Sequence, residues 1–436
     1  MRQWMVAAKK ADFYAIAEKF HVDPVVARII RNREVIGEKN IRIYLGGNLS
    51  DLSDPHQMKD MDRLVEILAQ KIRKQVHIRI IGDYDVDGVT SSHLFLTALR
   101  RVGAKVDVVI PHRIQDGYGL SLHLLQQAKE DGVDTILTCD NGIAAIDEIA
   151  WAKAQKMTVL VTDHHAVPFE EHEGRRTEKK SLADAVVNPH QQDCGYPYKE
   201  LCGAGVAWNV IRVLYENYDM DKREAEDLLD FVAMATVCDV MSLTGENRIL
   251  VKEGLKRIRH TKNIGLQALM QACNVQPENI SAYHFGYVLG PCVNATGRLD
   301  TARHALRLFE TGQETEAEEI ARDLVDLNQE RKELTLQGVE MAKKLCEEGG
   351  YENDPVLVLF LPDVHESIAG LIAGRIREMY NRPVFVLTRG EEGVKGSGRS
   401  TENYSMYENM CGCAELFTKF GGHPMAAGLS LPEENV

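Results

Sequence analysis

Residues 76–88 of the 436-residue chain read VHIRIIGDYDVDG, and this stretch decides the fold. The first six residues form a strand-like pattern that ends at Ile81, and Gly82 breaks it. Three aspartates then alternate with other residues up to Gly88, where a helical pattern begins and runs to Gly103. A short β-rich run that turns through a glycine into a helix is typical of one βα unit of a parallel sheet.

The same rhythm continues along the chain. Further strands are predicted at 106–110, 135–139 and 158–162, with a weaker one at 185–187. Helical patterns separate these strands, and that alternation predicts a larger α/β domain with a doubly wound, mostly parallel sheet.

A second alternating set follows Gly349-Gly350. It has strands at 356–361 and 384–387 and a helix at 368–380 between them, and then a glycine-rich segment. These patterns predict a second, smaller α/β lobe.

Four segments describe the predicted organisation. Residues 1–75 are a polar helical segment, and 76–310 hold the first α/β domain with a helical extension. Residues 311–348 are highly charged and predict a long connecting helix, with Gly338 as the candidate position for a break. Residues 349–436 form the smaller domain.

Composition excludes several classes of protein. Lys and Arg total 51 against 65 Asp and Glu, a net charge of −14, so any nucleic-acid binding needs a local patch or bound cations. The N-terminus lacks the apolar core of a signal peptide, and no apolar run approaches the ~20 residues of a membrane span. The nine cysteines are scattered without a CxxC pair, which argues against a disulfide framework and a structural zinc site. We expect a cytoplasmic enzyme.

Acidic residues follow three of the predicted strands, and a histidine pair follows one of them. They are Asp83, Asp85 and Asp87 after the first strand, Asp140 after the third, and Asp163, His164 and His165 after the fourth. A single acid after a strand is usually a helix N-cap, but three such ends in one sheet make independent caps improbable.

The carboxyl ends of parallel strands form the ligand-binding edge of an open α/β sheet. Carboxylates about 4 Å apart repel by roughly 4 kcal/mol at an effective dielectric near 20, so this group needs cations. Carboxylates with imidazoles suit Mn²⁺ or Mg²⁺. We therefore predict a two-metal centre that activates water and clamps a phosphoryl group.

Two competing motif interpretations fail. The alternating aspartates imitate the start of an EF-hand loop, but its twelfth position is Leu94 and a strand precedes the run. Gly203-Ala-Gly205 imitates a dinucleotide fingerprint, but the third glycine position is Trp208 and no strand precedes it. We assign this segment to helix packing.

A family resemblance rests on several stretches in a fixed order. They are GDYDVDG at 82–88, TCDNG at 138–142, DHH at 163–165, ATVCD at 235–239, NATGR at 294–298 and GGHPMAAG at 421–428. This set resembles the DHH phosphoesterase superfamily and, within it, the bacterial RecJ family of single-strand-specific 5′→3′ exonucleases. The resemblance implies a DHH domain, a DHH-associated domain, and hydrolysis of single-stranded DNA in DNA repair and recombination.

The resemblance also implies five ligands for two divalent cations, Mn²⁺ or Mg²⁺. Asp83 and Asp85 would bind one ion each, Asp140 would bridge both, and His164 and Asp239 would complete the second site. From the residues alone, Asp239 is only an acid after an apolar helix.

Further roles follow from the same resemblance. His165 would contact the scissile phosphate or stabilise developing charge, Asp163 would orient a histidine, and Arg298 would approach the scissile phosphate. Asp87 stays open between helix capping and support of the metal ligands.

The remaining residues implied by the resemblance contact the substrate. Arg113, Ser397 and Arg399 would hold a 5′-terminal phosphate, and Asn294, Gly422 and His423 would line the substrate path. The partners expected are single-stranded DNA, a single-strand-binding protein and a helicase.

The pattern departs from the family at one point, and rival functions remain. Family members continue into an oligonucleotide-binding barrel, whereas this sequence ends at Val436, so we expect a catalytic core without that domain. The rival functions are an oligoribonuclease or cyclic-dinucleotide phosphodiesterase of the same superfamily, and a non-catalytic DNA-binding scaffold.

Overall fold

A computed structural model describes residues 9–113, 116–117, 119–172, 175–351, 354–390 and 393–436. The chain divides into two units, Met1–Leu324 and Val325–Val436. Residues 1–8 of the predicted N-terminal helical segment lie outside the described residues. Within the described ranges, no helix is both long and apolar enough to cross a bilayer.

The described residues of the first unit contain seven strands. Their bounds are Ile78–Ile81 (β1), Val106–Val109 (β2), Thr135–Cys139 (β3), Thr158–Thr162 (β4), Phe169–His172 (β5), Arg175–Glu178 (β6) and Ala185–Val187 (β7). Five of them form an entirely parallel sheet in the order β2-β1-β3-β4-β7, and β5 and β6 form a separate antiparallel hairpin. The predicted parallel sheet is confirmed, and the hairpin was not predicted.

The helices of the first unit fall before, between and after these strands. They are Phe13–Phe20 (α1), Pro24–Asn32 (α2), Glu38–Gly46 (α3), Met61–Arg73 (α4), Val86–Arg101 (α5), Leu122–Glu130 (α6), Ile146–Ala154 (α7), Gly203–Asn217 (α8), Lys222–Glu226 (α9), Leu229–Cys238 (α10), Gly245–Ile258 (α11), Ile264–Ala272 (α12), Ala282–His284 (α13), Gly290–Leu299 (α14) and Ala302–Glu310 (α15). A π-helical turn, Phe285–Leu289, joins α13 to α14.

Apolar packing covers both faces of the parallel sheet. On one face, Leu125 of α6 and Ile149 of α7 are buried with Ile136 of β3 and Val159 of β4. On the other, α5 packs against β1 and β3, and α8 packs against β3 and β4. Both faces of the sheet are therefore buried. Polar groups that bind a ligand are expected at the carboxyl edge of the sheet.

The long helix predicted at 311–348 is observed as Glu314–Gly349 (α16). The break considered at Gly338 is wrong, because the helix runs through this residue. Gly338 lies against the side chain of Ile372, which would collide with a β-carbon at that position. The glycine therefore permits close packing.

The second unit holds a five-stranded mixed sheet. Its elements are Leu357–Phe360 (β8), Ala369–Tyr380 (α17), Val384–Gly390 (β9), Gly393–Arg399 (β10), Met406–Cys411 (α18), Lys419–His423 (β11) and Ala426–Leu431 (β12). The strand order is β11-β12-β10-β9-β8, with only the β8–β9 pair parallel. The glycine-rich segment after β9 thus contains the three strands β10, β11 and β12, which its composition did not predict.

Candidate metal centre

The topology brings the predicted acids to one edge of the parallel sheet. Asp83 lies two residues after β1, Asp140 follows β3, and Asp163 follows β4. These strands are neighbours in the sheet and run in the same direction, so their carboxyl ends lie side by side.

The turn after β1 depends on glycine. A β-carbon at Gly88 would lie 2.5 Å from the backbone nitrogen and oxygen of Asp83. The close approach lets Asp85 cap α5, with its Oδ1 accepting a hydrogen bond from the Gly88 N–H at 3.0 Å. The turn thus holds Asp83 and Asp85 in a fixed geometry, with Asp83 buried.

Asp140 has a strained backbone. Its φ of 62° lies in the left-handed region, which Asp tolerates better than most residues but at some energetic cost. The side chain packs against Gly203, where a β-carbon would lie 2.6 Å from Cβ of Asp140. The first residue of α8 must therefore be small for Asp140 to keep its position.

His164 is the contact centre of the cluster. Its Nε2 lies 3.1 Å from Oδ1 of Asp140 and 3.7 Å from a carboxylate oxygen of each of Asp87 and Asp239. Asp239 comes from the end of α10, which is far from the strands in sequence. The fold therefore places Asp239 beside the residues that follow the strands.

His165 pairs with the acid before it. Its Nδ1 donates to Oδ1 of Asp163 at 2.8 Å, and Asp163 also accepts the backbone N–H groups of His164 and Ile143. Burial opposes protonation of His165, but Asp163 outweighs it and raises the pKa of this imidazole to about 9. Burial alone would raise the pKa of Asp163, yet the bond from His165 keeps it below its usual value. These contacts give Asp163 the geometry that the predicted orienting role requires.

Asp87 lies in α5 but caps the N-terminus of a different helix, α8. Its carboxylate accepts the backbone N–H groups of Gly203 at 2.6 Å and Ala204 at 2.8 Å, at the start of α8. No local pattern indicates this pairing, because the partners are more than a hundred residues apart. The same carboxylate lies near His164, so Asp87 combines capping with a place beside the cluster.

Three groups of side chains have the spacing of a metal site. Their ligand atoms lie within 4.8 Å of one another, and the groups are Asp83 with Asp85 and Asp140, Asp87 with His164 and Asp239, and Asp140 with His164 and His165. Asp140 and His164 each belong to two of the groups, so neighbouring groups share side chains.

Electrostatics shows that this cluster fits divalent cations. Burial, followed by the charges of neighbouring aspartates, raises the pKa of Asp83 and of Asp140 well above the usual range, and that of Asp239 to about 8. Oδ1 of Asp83 is buried and has no hydrogen-bond partner within the described part of the chain. Buried carboxylates of this kind require protons or cations, and oxygen ligands with imidazole suit Mn²⁺ or Mg²⁺.

Tyr84 contacts one of the predicted substrate arginines, Arg113, and sequence reasoning overlooked it. The guanidinium carbon of Arg113 lies 4.6 Å from the centroid of the Tyr84 ring. Burial raises the pKa of the Tyr84 phenol, and the charges of Arg113 and Arg298 partly oppose this rise. Both arginines therefore lie near the Asp83 turn.

Asn294, predicted to line the substrate path, also has a structural contact. Its Oδ1 accepts the backbone N–H of Val86 at 3.1 Å, across more than two hundred residues. This bond satisfies an N–H at the start of α5. Asn294 therefore helps to hold the turn that carries Asp85.

The second unit holds the other predicted substrate residues. Nη1 of Arg399 donates to the backbone oxygen of Gly398 at 2.8 Å and to Oγ of Ser397 at 3.3 Å, both on β10. A β-carbon at Gly370 in the first turn of α17 would lie 2.7 Å from Oγ of Ser397. Ser397 and Arg399 thus lie together beside a helix N-terminus, which favours anions.

Gly422 and His423 lie on β11, at the hairpin with β12. Gly422 has a φ of 153°, and its α-carbon lies so close to β12 that a β-carbon would collide with the backbone of Ala426. His423 is exposed.

Known proteins resemble this chain in both units. Residues 77–236 match the model of the DHH family N-terminal domain, and residues 353–436 match the DHHA1 domain. The single-stranded-DNA-specific exonuclease RecJ of Haemophilus influenzae is 36% identical over 94% of this chain and 72% of its own. RecJ of Bacillus subtilis is 34% identical over 97% of this chain, which spans about half (52%) of that relative.

Solved structures agree with these matches. A crystal structure of exonuclease RecJ bound to manganese superposes with a TM-score of 0.74 and 32% identity over 86% of this chain and 91% of that one. RecJ from Thermus thermophilus in complex with Mn²⁺ gives a TM-score of 0.78 and 29% identity over 97% of this chain and 58% of that one. The resemblance expected from the motifs is confirmed, and the chain belongs to the RecJ family of DHH-domain proteins.

Proposed function

We propose that this protein is a Mn²⁺- or Mg²⁺-dependent hydrolase that removes nucleotides from the 5′ end of single-stranded DNA. The observation that carries the proposal is the buried group of carboxylates and imidazoles at the edge of the parallel sheet. Membership of the RecJ family supports the substrate, since its curated relatives are single-stranded-DNA-specific exonucleases.

We assign the metal ligands to Asp83, Asp85, Asp140, His164 and Asp239. The sharing of Asp140 between two groups of ligand atoms supports its bridging role. Asp83 and Asp85 fall in the same group, and Asp87 lies with His164 and Asp239. The assignment of Asp83 and Asp85 to different ions stays a prediction.

Bound cations in such a site lower the pKa of water and offset charge on the attacking and leaving oxygens. The protein's own contribution is to place charge and protons beside them. In this proposal His165, hydrogen-bonded to Asp163 through Nδ1, faces the scissile phosphate, and Arg298 adds positive charge there. Asn294 and Asp87 hold the two helix N-termini that border the cluster.

We assign recognition of the 5′-terminal phosphate to Arg113, Ser397 and Arg399. Arginine forms paired, charge-assisted hydrogen bonds with phosphate, and the start of α17 adds a favourable dipole. Gly422 and His423 are assigned to the substrate path through their motif.

The biological setting proposed is DNA repair and recombination in the cytoplasm, with a single-strand-binding protein and a helicase as partners. The support for these finer points is the family membership alone.

A time course on single-stranded DNA labelled at either end tests the proposal. With Mn²⁺, strands labelled at the 5′ end are expected to release the label at once in a mononucleotide. Strands labelled at the 3′ end are expected to keep the label while they become progressively shorter. Duplex DNA and EDTA-treated reactions are expected to stay intact.

Other outcomes of the same assay would replace the proposal. Faster turnover of a diribonucleotide or a cyclic dinucleotide would favour the rival phosphodiesterases. Binding of DNA without any metal-dependent cleavage would favour a scaffold.

A further inference from the structure

Two tyrosines of the first unit lie outside the roles described above. Tyr283 and Tyr287 expose 62% and 72% of their surface. Their rings are stacked, with centroids 5.2 Å apart and planes 26° from parallel. The pair, here called the tyrosine platform, presents a flat aromatic surface to solvent.

The tyrosine platform lies on an irregular helical segment. Tyr287 lies within the π-helical turn Phe285–Leu289, and Tyr283 lies in α13 just before it. Single π-helical turns are rare and frequently occur at functional sites. Phe285 and Leu289 are buried, so the turn is packed on one side while the tyrosines face outward.

Direct contacts connect this turn to the metal centre. Cys238 donates its S–H to the backbone oxygen of Phe285 at 3.3 Å, and Gly286 packs against the side chain of Val237. Cys238 immediately precedes Asp239 at the end of α10. The platform therefore rests on the helix end that supplies a predicted metal ligand.

The residue after Asp239 is also unusual. Val240 is 87% exposed and has a φ of 58°, a left-handed conformation that is strongly disfavoured for a β-branched side chain. Strain of this kind persists where the surrounding structure enforces it, commonly at functional sites. An apolar side chain is thus held in water next to the cluster.

We propose that the tyrosine platform is a base-stacking subsite for single-stranded nucleic acid, an inference that rests on the proposed nuclease function. A chain of net charge −14 cannot hold a polyanion by bulk attraction, so contacts to bases become important. Aromatic rings stack on any base and give affinity without sequence preference. The helix that follows the platform, α14, carries Asn294 and Arg298, so one continuous segment would serve both bases and phosphate.

The test compares a long and a short substrate. The double variant Tyr283→Ala/Tyr287→Ala is assayed on an oligothymidylate and on the p-nitrophenyl ester of thymidine 5′-monophosphate, which has one base and no neighbours. Tyr283→Phe/Tyr287→Phe keeps the rings, and Tyr14→Ala removes another exposed tyrosine. If bases stack on the tyrosines, we expect the KM for the oligonucleotide to rise roughly tenfold in the alanine variant. The kcat for the oligonucleotide and the rate of ester hydrolysis are expected to change little. The phenylalanine and Tyr14 variants are expected to match the parent protein.

Three results would overturn the platform while leaving the nuclease proposal intact. The first is an unchanged KM in the alanine variant, and the second is an equal loss of activity on both substrates. The third is loss of a dimer in the alanine variant without a change in KM, which would mean that a second copy of the chain covers the surface. If the unaltered protein hydrolyses neither substrate with Mn²⁺, the proposed function itself fails.

Discussion

The two sheets of this protein carry side-chain charge of opposite sign. The parallel sheet of the first unit gathers aspartates at the carboxyl ends of β1, β3 and β4, and burial and the neighbouring aspartates make Asp140 require a proton or cations. The mixed sheet of the second unit instead carries Ser397 and Arg399 on a glycine-rich strand. One sheet is suited to hold metals, and the other to hold an anion directly.

The difference teaches how topology determines the type of site. Parallel strands bring all their carboxyl ends to one edge, so short acidic motifs spread over the sequence converge. The antiparallel strands β10, β11 and β12 have no such common edge. Their glycines allow close approach of backbone groups, and the charge comes from an arginine.

The largest effect is expected from Asp140→Asn. Asparagine tolerates the left-handed φ of this position and keeps the side-chain shape, but it removes the charge shared between two ligand groups. We expect a loss of cleavage rate on the order of a thousandfold, with the fold retained. Asp134→Asn, directly before β3 and paired with Lys71 away from the cluster, is the matched control. Near-normal cleavage by Asp140→Asn would remove it from the bridging role.

A smaller effect is expected from Gly203→Ala. The added β-carbon would collide with Cβ of Asp140, and displacement of a ligand by its supporting residues usually costs roughly 10- to 100-fold in metal affinity or activity. The measurements are Mn²⁺ affinity and cleavage rate. Gly205→Ala is the control, because its new atom would meet only the flexible side chain of Leu201 at 3.3 Å. Equal behaviour of the two variants would contradict the packing argument.

Arg399→Ala tests the proposed phosphate site on the mixed sheet of the second unit. Loss of a charge-assisted bond to phosphate predicts roughly tenfold slower digestion of 5′-phosphorylated strands and little change for 5′-hydroxyl strands. Arg389→Ala, on the neighbouring strand β9 and paired with Glu433, is the control. A similar loss on both kinds of end would mean that Arg399 does not contact this phosphate.

The smallest effect concerns pH and thermal stability. In the metal-free protein, burial and then Asp87 raise the pKa of Asp239 to about 8, while Asp163 overcomes burial to raise that of His165 to about 9. Between its unfolded and folded pKa each group holds a proton that the unfolded chain has released, so stability is expected to fall with rising pH. The window is about pH 4 to 8 for Asp239 and about pH 6.5 to 9 for His165.

Mg²⁺ replaces the proton on Asp239, an assigned metal ligand, so the stabilisation that Mg²⁺ gives is expected to grow up to about pH 8. A rise in Tm that is a few degrees larger at the higher pH, measured by thermal unfolding, would agree with this. A shift in Tm that is independent of pH would contradict the electrostatic account of the cluster.

The sequence predicted the parallel sheet because its buried strands are apolar runs that end at glycine turns or acids. The positions of Asp83, Asp140 and Asp163 followed from the same patterns. The strands β10, β11 and β12 could not be predicted, since their glycines mask the alternation of a strand. The continuity of α16 through Gly338 depends on packing against Ile372, which no local pattern encodes.

Long-range contacts limited the prediction of individual roles. Asp239 looks like an ordinary acid after an apolar helix until the fold places its carboxylate 3.7 Å from Nε2 of His164. The bonds of Asp87 to Gly203 and of Asn294 to Val86 join residues more than a hundred positions apart. Capping by Asp87 was one of two predicted alternatives, but the helix that it caps, and the capping role of Asn294, became evident only in the folded chain.

The number of Mn²⁺ ions bound by the purified protein tests the central claim most directly. Titration calorimetry with elemental analysis is expected to give two ions per chain, and fewer in Asp140→Asn. A chain that binds no Mn²⁺, or whose stoichiometry is unchanged by that substitution, would contradict the shared two-metal centre.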